Sequence, residues 1–303
     1  MAWVPAIMVA TALLAAIALW IAVRTNGPAV LDSIDRLTGG DRQTALVESA
    51  EFGPSPAQKL AVYAPAQGSA PLPVLLFIHG GSWSSGNPDD YGFVARALVP
   101  EGFIVVVAGY RLFPEARFPA MLEDAAGAVA WTRANAARLG GDPARIVLVG
   151  HSAGAYNAVM TALDGQWLAN EGLGTDAVAG VIGLAGPYDF YPFTSEGSRN
   201  SFGHVADAGT TQPVNFANDG APPMLLLHGE TDTTVRIRNS RALADALGQV
   251  GVKVQTRYYP DLGHNDLVIA LASPWRERRP ILAEMTKFAR SLQPSVPVQG
   301  ETR

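Results

Sequence analysis

Short, near-continuous apolar runs recur along the chain: VLLFI at 74–78, FIVVV at 103–107, IVLV at 146–149 and MLLL at 224–227. Runs this short, bounded by Gly, His or charged residues, read as strands buried on both faces of a sheet. With weaker runs included, strands are expected at 45–51, 59–63, 74–78, 104–108, 146–149, 178–184, 224–227 and 252–258. Helical spacing predicts helices at 91–99, 120–138, 153–164, 236–249 and 275–292. From the third strand on, strand and helix alternate. That rhythm implies a doubly wound α/β fold, a mostly parallel eight-stranded sheet with helices on both faces. The first two strands are more polar and joined by FGPSPAQ at 52–58, as an antiparallel edge hairpin would be.

The N-terminus breaks this rhythm. Residues 1–23, MAWVPAIMVATALLAAIALWIAV, carry no charged side chain; crossing a bilayer core takes about 20 apolar residues. Trp3 and Trp20 sit near its two ends, where interfacial aromatics are favoured. No Lys or Arg precedes the run and no small-x-small cleavage site follows. A single membrane anchor is therefore expected, the alternative being a cleaved signal peptide and export. Arg24 and Arg36 follow the segment, which points the globular part inside. Residues 24–43 read as a linker with room for one short helix, 44–293 as the globular domain, 187–223 as an irregular insert and 294–303 as a disordered tail.

Composition narrows the chemistry. A chain of 303 residues with 48% hydrophobic and 16% charged positions can bury a large core. A net charge of −5 gives no reason to expect nucleic acid as a partner. The absence of cysteine removes thiolate nucleophiles and Cys-ligated metals, and no His/Asp cluster has metal-ligand spacing.

The stretch RIVLVGHSAGAYNAVM at 145–160 is a strand, a tight turn and a small-residue helix. A residue at such a turn is strained, and side chains two positions away would collide, hence Gly150 and Gly154 around Ser152. The turn holds the serine Oγ above the C-terminal edge of the sheet. The N–H of Ala153 opens the helix beside it, where negative charge is stabilised. HGGSW at 79–83 follows another strand, and Gly80 and Gly81 let the backbone aim N–H groups at the same space, with that of Ser82 as a further donor. Asp232, in HGETDTTV, follows the MLLL strand, and His264, in PDLGHNDL, follows the last strand. The order Ser152, Asp232, His264 is the one expected of an acid, base and nucleophile on this kind of sheet. Asp261 and Asp266 flank His264 and compete with Asp232. His79 and His151 read as structural, His228 as buried at a strand end, His204 as a weak substrate contact and Asp124 as a structural acid. SPWRERRP at 273–280 reads as a solvated helix start. Trp83 and the insert aromatics Tyr188 and Phe190 are candidate substrate contacts, the latter two within a set that includes Tyr191, Phe193, Phe202 and Phe216.

FGPSPAQKLAVYAP, HGGSW, GYRLFPEARFPAMLEDAAGAVAW, GHSAG, HGETDTTV and LGHNDL, in this order across 48–270, resemble the α/β-hydrolase superfamily. The likeness is to the esterase/lipase branch that includes hormone-sensitive-lipase-like esterases and bacterial esterases similar to kynurenine formamidase. It implies an α/β-hydrolase fold, a Ser152 nucleophile, a His264 base, an Asp232 orienting acid and an oxyanion hole from Gly80, Gly81 and Ala153. It implies no metal or organic cofactor. Ser82 stands where hormone-sensitive-lipase-like members usually carry a third glycine, which leans towards the formamidase-like and general carboxylesterase side. The expected activity is hydrolysis of a small carboxylic ester through an acyl-enzyme. The alternatives are amide or formamide hydrolysis by the same residues, and a non-catalytic membrane-tethered binding module. Oligomeric state is not legible.

Overall fold

The computed structural model describes residues 3–39, 43–66 and 71–292, with side chains in the first helix described at 14, 17, 18 and from 20 onward. The expected disordered tail at 294–303 lies outside the described residues. Strands β1 (Thr44–Glu51), β2 (Lys59–Pro65), β3 (Leu72–Ile78), β4 (Ile104–Ala108), β5 (Gly141–His151), β6 (Gly180–Leu184), β7 (Met224–Gly229) and β8 (Val254–Tyr259) form one sheet. Their order is β1-β2-β4-β3-β5-β6-β7-β8. The sheet is mixed: β2 runs antiparallel to β1 and to β4, and every pairing from β4 to β8 is parallel. Helices α1 (Trp3–Leu37), α2 (Gly92–Leu98), α3 (Ala120–Asn135), α4 (Ala153–Leu163), α5 (Gln166–Asn170), α6 (Glu196–Phe202), α7 (Arg238–Gln249), α8 (Asp266–Ile269) and α9 (Ile281–Ser291) surround it.

The sheet separates two cores, which explains the continuous apolar runs. Along β3, Val74, Leu76 and Ile78 join one core with Val129 of α3, Val159 of α4 and Leu243 of α7. Leu75 and Phe77 join the other with Val94 and Leu98 of α2 and Met285 of α9. Successive side chains alternate between faces, so a strand covered on both sides must be apolar at every position.

The membrane span expected over 1–23 is not found among the described residues, where no helix is long and apolar enough to cross a membrane; the side chains at 1–13, 15, 16 and 19 lie outside them. The linker expected from residue 24 needs correction as far as residue 37, because α1 continues to Leu37 and its last turns dock on the domain. The helix kinks at Asn26 (φ −150°, ψ 77°), two residues before Pro28. The Asn26 Oδ1 accepts the Ala29 N–H at 3.1 Å and so caps the second segment. Two acidic residues of this segment are buried ion-pair partners. Asp35, fully buried, accepts from Arg96 Nε (2.6 Å), Arg276 Nη2 (2.9 Å) and the Ser273 N–H (2.7 Å). Asp32 takes the Arg96 Nη2, and Leu31 joins the second core.

The same contacts correct part of the reading of 273–280. Residues 277–280 are exposed, but Arg276 folds back onto Asp35, and α9 begins only at Ile281, after Pro280. The insert carries α6 and two 3₁₀ turns, Ala208–Thr211 and Pro213–Phe216.

Candidate active site

Ser152 links β5 to α4 with φ 54° and ψ −121°, a left-handed conformation that costs a non-glycine residue about 1–3 kcal/mol. The flanking glycines make the turn possible. A Cβ on Gly150 would lie 2.2 Å from the Gly154 carbonyl oxygen, and one on Gly154 would lie 2.0 Å from the Ile78 carbonyl oxygen of β3. The Ser152 N–H donates to the Leu184 carbonyl (2.8 Å), tying the turn to β6.

Asp232 lies just beyond β7 and His264 just beyond β8, so the parallel strands deliver both to the edge where Ser152 stands. The His264 Nδ1 lies 2.7 Å from Asp232 Oδ2, and its Nε2 lies 2.8 Å from Ser152 Oγ. A carboxylate only accepts, so Nδ1 carries the proton and the Nε2 lone pair accepts from the serine hydroxyl. The other Asp232 oxygen, Oδ1, accepts the N–H groups of Thr234 (2.8 Å) and Val235 (2.9 Å). One carboxylate thus fixes its own loop and orients the imidazole. Burial opposes its charge, but hydrogen bonds from His228, His264 and the Val235 N–H outweigh burial and hold Asp232 well below the usual carboxylate range. Asp261 pairs with Arg279 and Asp266 accepts the Gly263 N–H (2.6 Å), so neither competing acid is the partner of the His264 ring.

The loop after β3 approaches the same space. Gly81 has φ 116°, and a Cβ there would sit 1.9 Å from the Ser85 carbonyl oxygen. Gly80 is pressed against β5, where a Cβ would meet the His151 carbonyl oxygen at 2.9 Å. Among the described residues, no protein group accepts the backbone N–H of Gly81 or of Ala153. Ser82 and Trp83 both hold positive φ (53° and 58°), so the loop turns sharply outward and then back in.

The candidate substrate contacts separate. Trp83 is buried; its Nε1 donates to Asn157 Oδ1 (3.1 Å), and its ring meets Tyr156 and Phe202 edge-on. Tyr188 is fully buried, which removes it as a wall of an open pocket; its backbone N–H donates to Asn239. The insert begins next to β6, and its first aromatic fills core space beside Gly183 and Gly186. Phe190 is half-buried and stacks on Trp83 at 5.8 Å. His204 donates to the Phe118 carbonyl (3.0 Å), a structural tie between the insert and the segment that leads into α3. Asp124 accepts from Gln58 and Arg111. It lines a separate groove of about 660 Å³ with Phe52, Arg111 and Trp131.

Three further histidines brace the region. The His79 Nδ1 donates to the Gly80 carbonyl (2.7 Å), and burial pushes its imidazole down to about 4. His228 Nε2 donates to the Val235 carbonyl (2.8 Å) and lies 3.3 Å from Asp232 Oδ2. His151 Nε2 donates to the His264 carbonyl (3.0 Å). Both contacts with the Asp232–His264 pair were missed in the sequence; the only available signals were that His151 adjoins Ser152 and that His228 ends the strand before Asp232.

A family model named BD-FAE matches residues 60–247, more than half of the chain. A probable isoprenylcysteine alpha-carbonyl methylesterase of Oryza sativa subsp. japonica is 31% identical over 259 residues, covering 78% of this chain and 60% of that protein. Esterase LipC of Mycobacterium tuberculosis is 31% identical over 235 residues, covering 70% of this chain and 58% of that protein. Carboxylesterase NlhH of the same organism is 33% identical over 235 residues, 67% of this chain and 69% of that protein. The chain therefore spans 60% and 58% of the length of the first two relatives. Among solved structures, Esterase B from Lactobacillus rhamnosis superposes with a TM-score of 0.74 at 20% identity, covering 91% of this chain and 94% of that one. A truncated carbohydrate esterase from gut microbiota gives 0.70 at 20% identity, covering 82% and 95%. At such identities the superpositions speak for the fold. Fold, family match and relatives agree that the chain belongs to the BD-FAE family, in the esterase/lipase group of α/β-hydrolases.

Proposed function

We propose that this chain is a serine hydrolase that cleaves carboxylic esters through Ser152, His264 and Asp232. The observation that carries the reading is the continuous relay from Ser152 Oγ through both ring nitrogens of His264 to Asp232, at 2.8 and 2.7 Å. The esterase names of LipC and NlhH support it. His264 Nε2 takes the Ser152 proton as Oγ attacks the acyl carbon, and Asp232 stabilises the imidazolium that forms. The N–H groups of Gly81 and Ala153, with Gly80 beside them, receive the oxyanion; losing one such donor typically costs about 10²–10³ in rate. Collapse expels the alcohol with the proton from His264. Water, deprotonated by the same nitrogen, then releases the acid. Protein, substrate and water supply every proton and electron pair in this route. Phe190, half-buried over Trp83, is the aromatic side chain assigned to meet the acyl or aryl group.

The test is steady-state hydrolysis of short-chain p-nitrophenyl esters by the chain and by Ser152→Ala. The variant is expected to lose about 10³-fold or more in kcat. Wild-type turnover by folded Ser152→Ala would overturn the reading. Matched ester and amide substrates, compared by kcat/KM, separate esterase from amidase or formamidase action.

For location we propose association with a membrane through the N-terminal part of α1, whose Leu14, Ile17, Trp20 and Ile21 are exposed. A chain beginning at residue 25 is expected to leave the membrane fraction; an unchanged distribution would refute this.

A further inference from the structure

His151 ends β5, directly before Ser152, and is buried. Its imidazole touches two other loops. On one side its Nε2–H donates to the backbone carbonyl of His264 (3.0 Å), with the two rings 5.0 Å apart. On the other, its Nδ1 and carbonyl oxygen press on Gly80, where an added Cβ would come within 3.2 and 2.9 Å of them. The three loops involved follow β3, β5 and β8, and β8 lies three places from β5 in the sheet. Among the described residues, two hydrogen bonds tie the His264 loop to the end of β5 and its turn: His264 Nε2 with Ser152 Oγ, and His151 Nε2 with the His264 carbonyl. Burial, with the nearby His264 adding to it, pushes the His151 imidazole down to about 3, so it is a neutral donor at ordinary pH and places no second positive charge beside the base.

The proposed reaction makes these two ties unequal. Once Ser152 Oγ is esterified it has no proton to give, and the first tie is gone. His264 must still take a proton from water while the water oxygen bonds to the acyl carbon. The tetrahedral intermediate then expels Ser152 Oγ, which recovers that proton from Nε2. Only the His151 bond then holds the base to β5. We propose that His151 is a positioning residue for deacylation, holding the His264 backbone in place while the acyl-enzyme waits for water. The inference rests on the serine hydrolase reading above.

The experiment compares His151→Phe, His151→Asn and His151→Gln with wild type, each checked by circular dichroism and thermal melting. The Gln amide nitrogen reaches the position of Nε2; the Asn amide is one methylene too short. On a p-nitrophenyl ester, Phe and Asn variants are expected to lose at least about ten-fold in kcat through misplacement of the base. Their kcat/KM falls less, a burst of one p-nitrophenolate per chain appears, and intact mass shows an acyl group on Ser152. The Gln variant is expected to restore most of kcat and to show no burst. Wild-type kcat in folded Phe and Asn variants, equal losses of kcat and kcat/KM without a burst, or a Gln variant as slow as Asn would each overturn the proposal. Ser152→Ala runs in parallel: if it retains turnover, the serine hydrolase reading falls; if it is inactive while His151→Phe is normal, only the role of His151 falls.

Discussion

Replacing Asp232 with asparagine isolates the orienting role of the carboxylate, because the outcome depends on which end of the amide faces His264. Oδ1 accepts two backbone N–H groups, from Thr234 at 2.8 Å and Val235 at 2.9 Å. Those donors demand an oxygen, so the asparagine carbonyl is expected to take that place. Its NH₂ then faces His264 Nδ1, where the carboxylate oxygen stood at 2.7 Å. Two donors cannot share a hydrogen bond, so the imidazole must keep its lone pair on Nδ1 and its proton on Nε2. The nitrogen 2.8 Å from Ser152 Oγ then becomes a donor and cannot accept the hydroxyl proton. A wrong tautomer in a relay of this kind costs about 10⁴ in kcat, or about 5 kcal/mol at 1.36 kcal/mol per decade. The assay is kcat and KM on a p-nitrophenyl ester, with circular dichroism confirming the fold. KM is expected to stay near wild type, since no substrate contact changes. A kcat loss smaller than about ten-fold in folded Asp232→Asn would refute the tautomer argument.

Three further outcomes are expected. Gly154→Ala drives a Cβ to 2.0 Å from the Ile78 carbonyl oxygen, backbone against backbone; overpacking of this kind should cost about 3 kcal/mol or more, and a melting temperature within a degree of wild type would contradict it. Asp35→Ala removes the shared acceptor of Arg96 and Arg276; losing one partner of a buried ion pair costs about 3–5 kcal/mol, read as a lower denaturation midpoint, and an unchanged midpoint would refute the docking of α1. Stability should fall with acidity. His79 and His151 are held down to about 4 and about 3, so below their ordinary value near 6.5 the unfolded chain binds protons that the native state refuses. Asp232, depressed below its unfolded value, stabilises above the carboxylate range and loses that contribution as pH falls through it. A melting temperature as high at pH 5 as at pH 7 would contradict the two histidine assignments.

Much of the sheet was legible because its central strands are apolar on both faces, a pattern that a short run such as VLLFI displays without neighbours. The order Ser152, Asp232, His264 was legible for a related reason: Ser152 and Asp232 each follow one of those runs, His264 follows the more polar edge strand β8, and parallel strands put all such ends on one edge. The N-terminal helix was misread because the partners of Asp35, Arg96 and Arg276, lie 61 and 241 residues away in the chain. Charge in a segment shows polarity and not what it pairs with. Tyr188 was misjudged because an irregular insert has no periodicity to separate an inward ring from an outward one. His151 reads as structural and His228 as buried, yet their contacts with His264 and Asp232 arise only when β5, β6, β7 and β8 assemble into one sheet.

The central claim, that Ser152 is a nucleophile activated by His264, is tested most directly with a serine-reactive phosphonate probe and intact-mass analysis of the full chain. One adduct per molecule is expected, mapping to Ser152 and absent in Ser152→Ala. Folded protein that stays unmodified, or carries its adduct on another residue, would contradict the account.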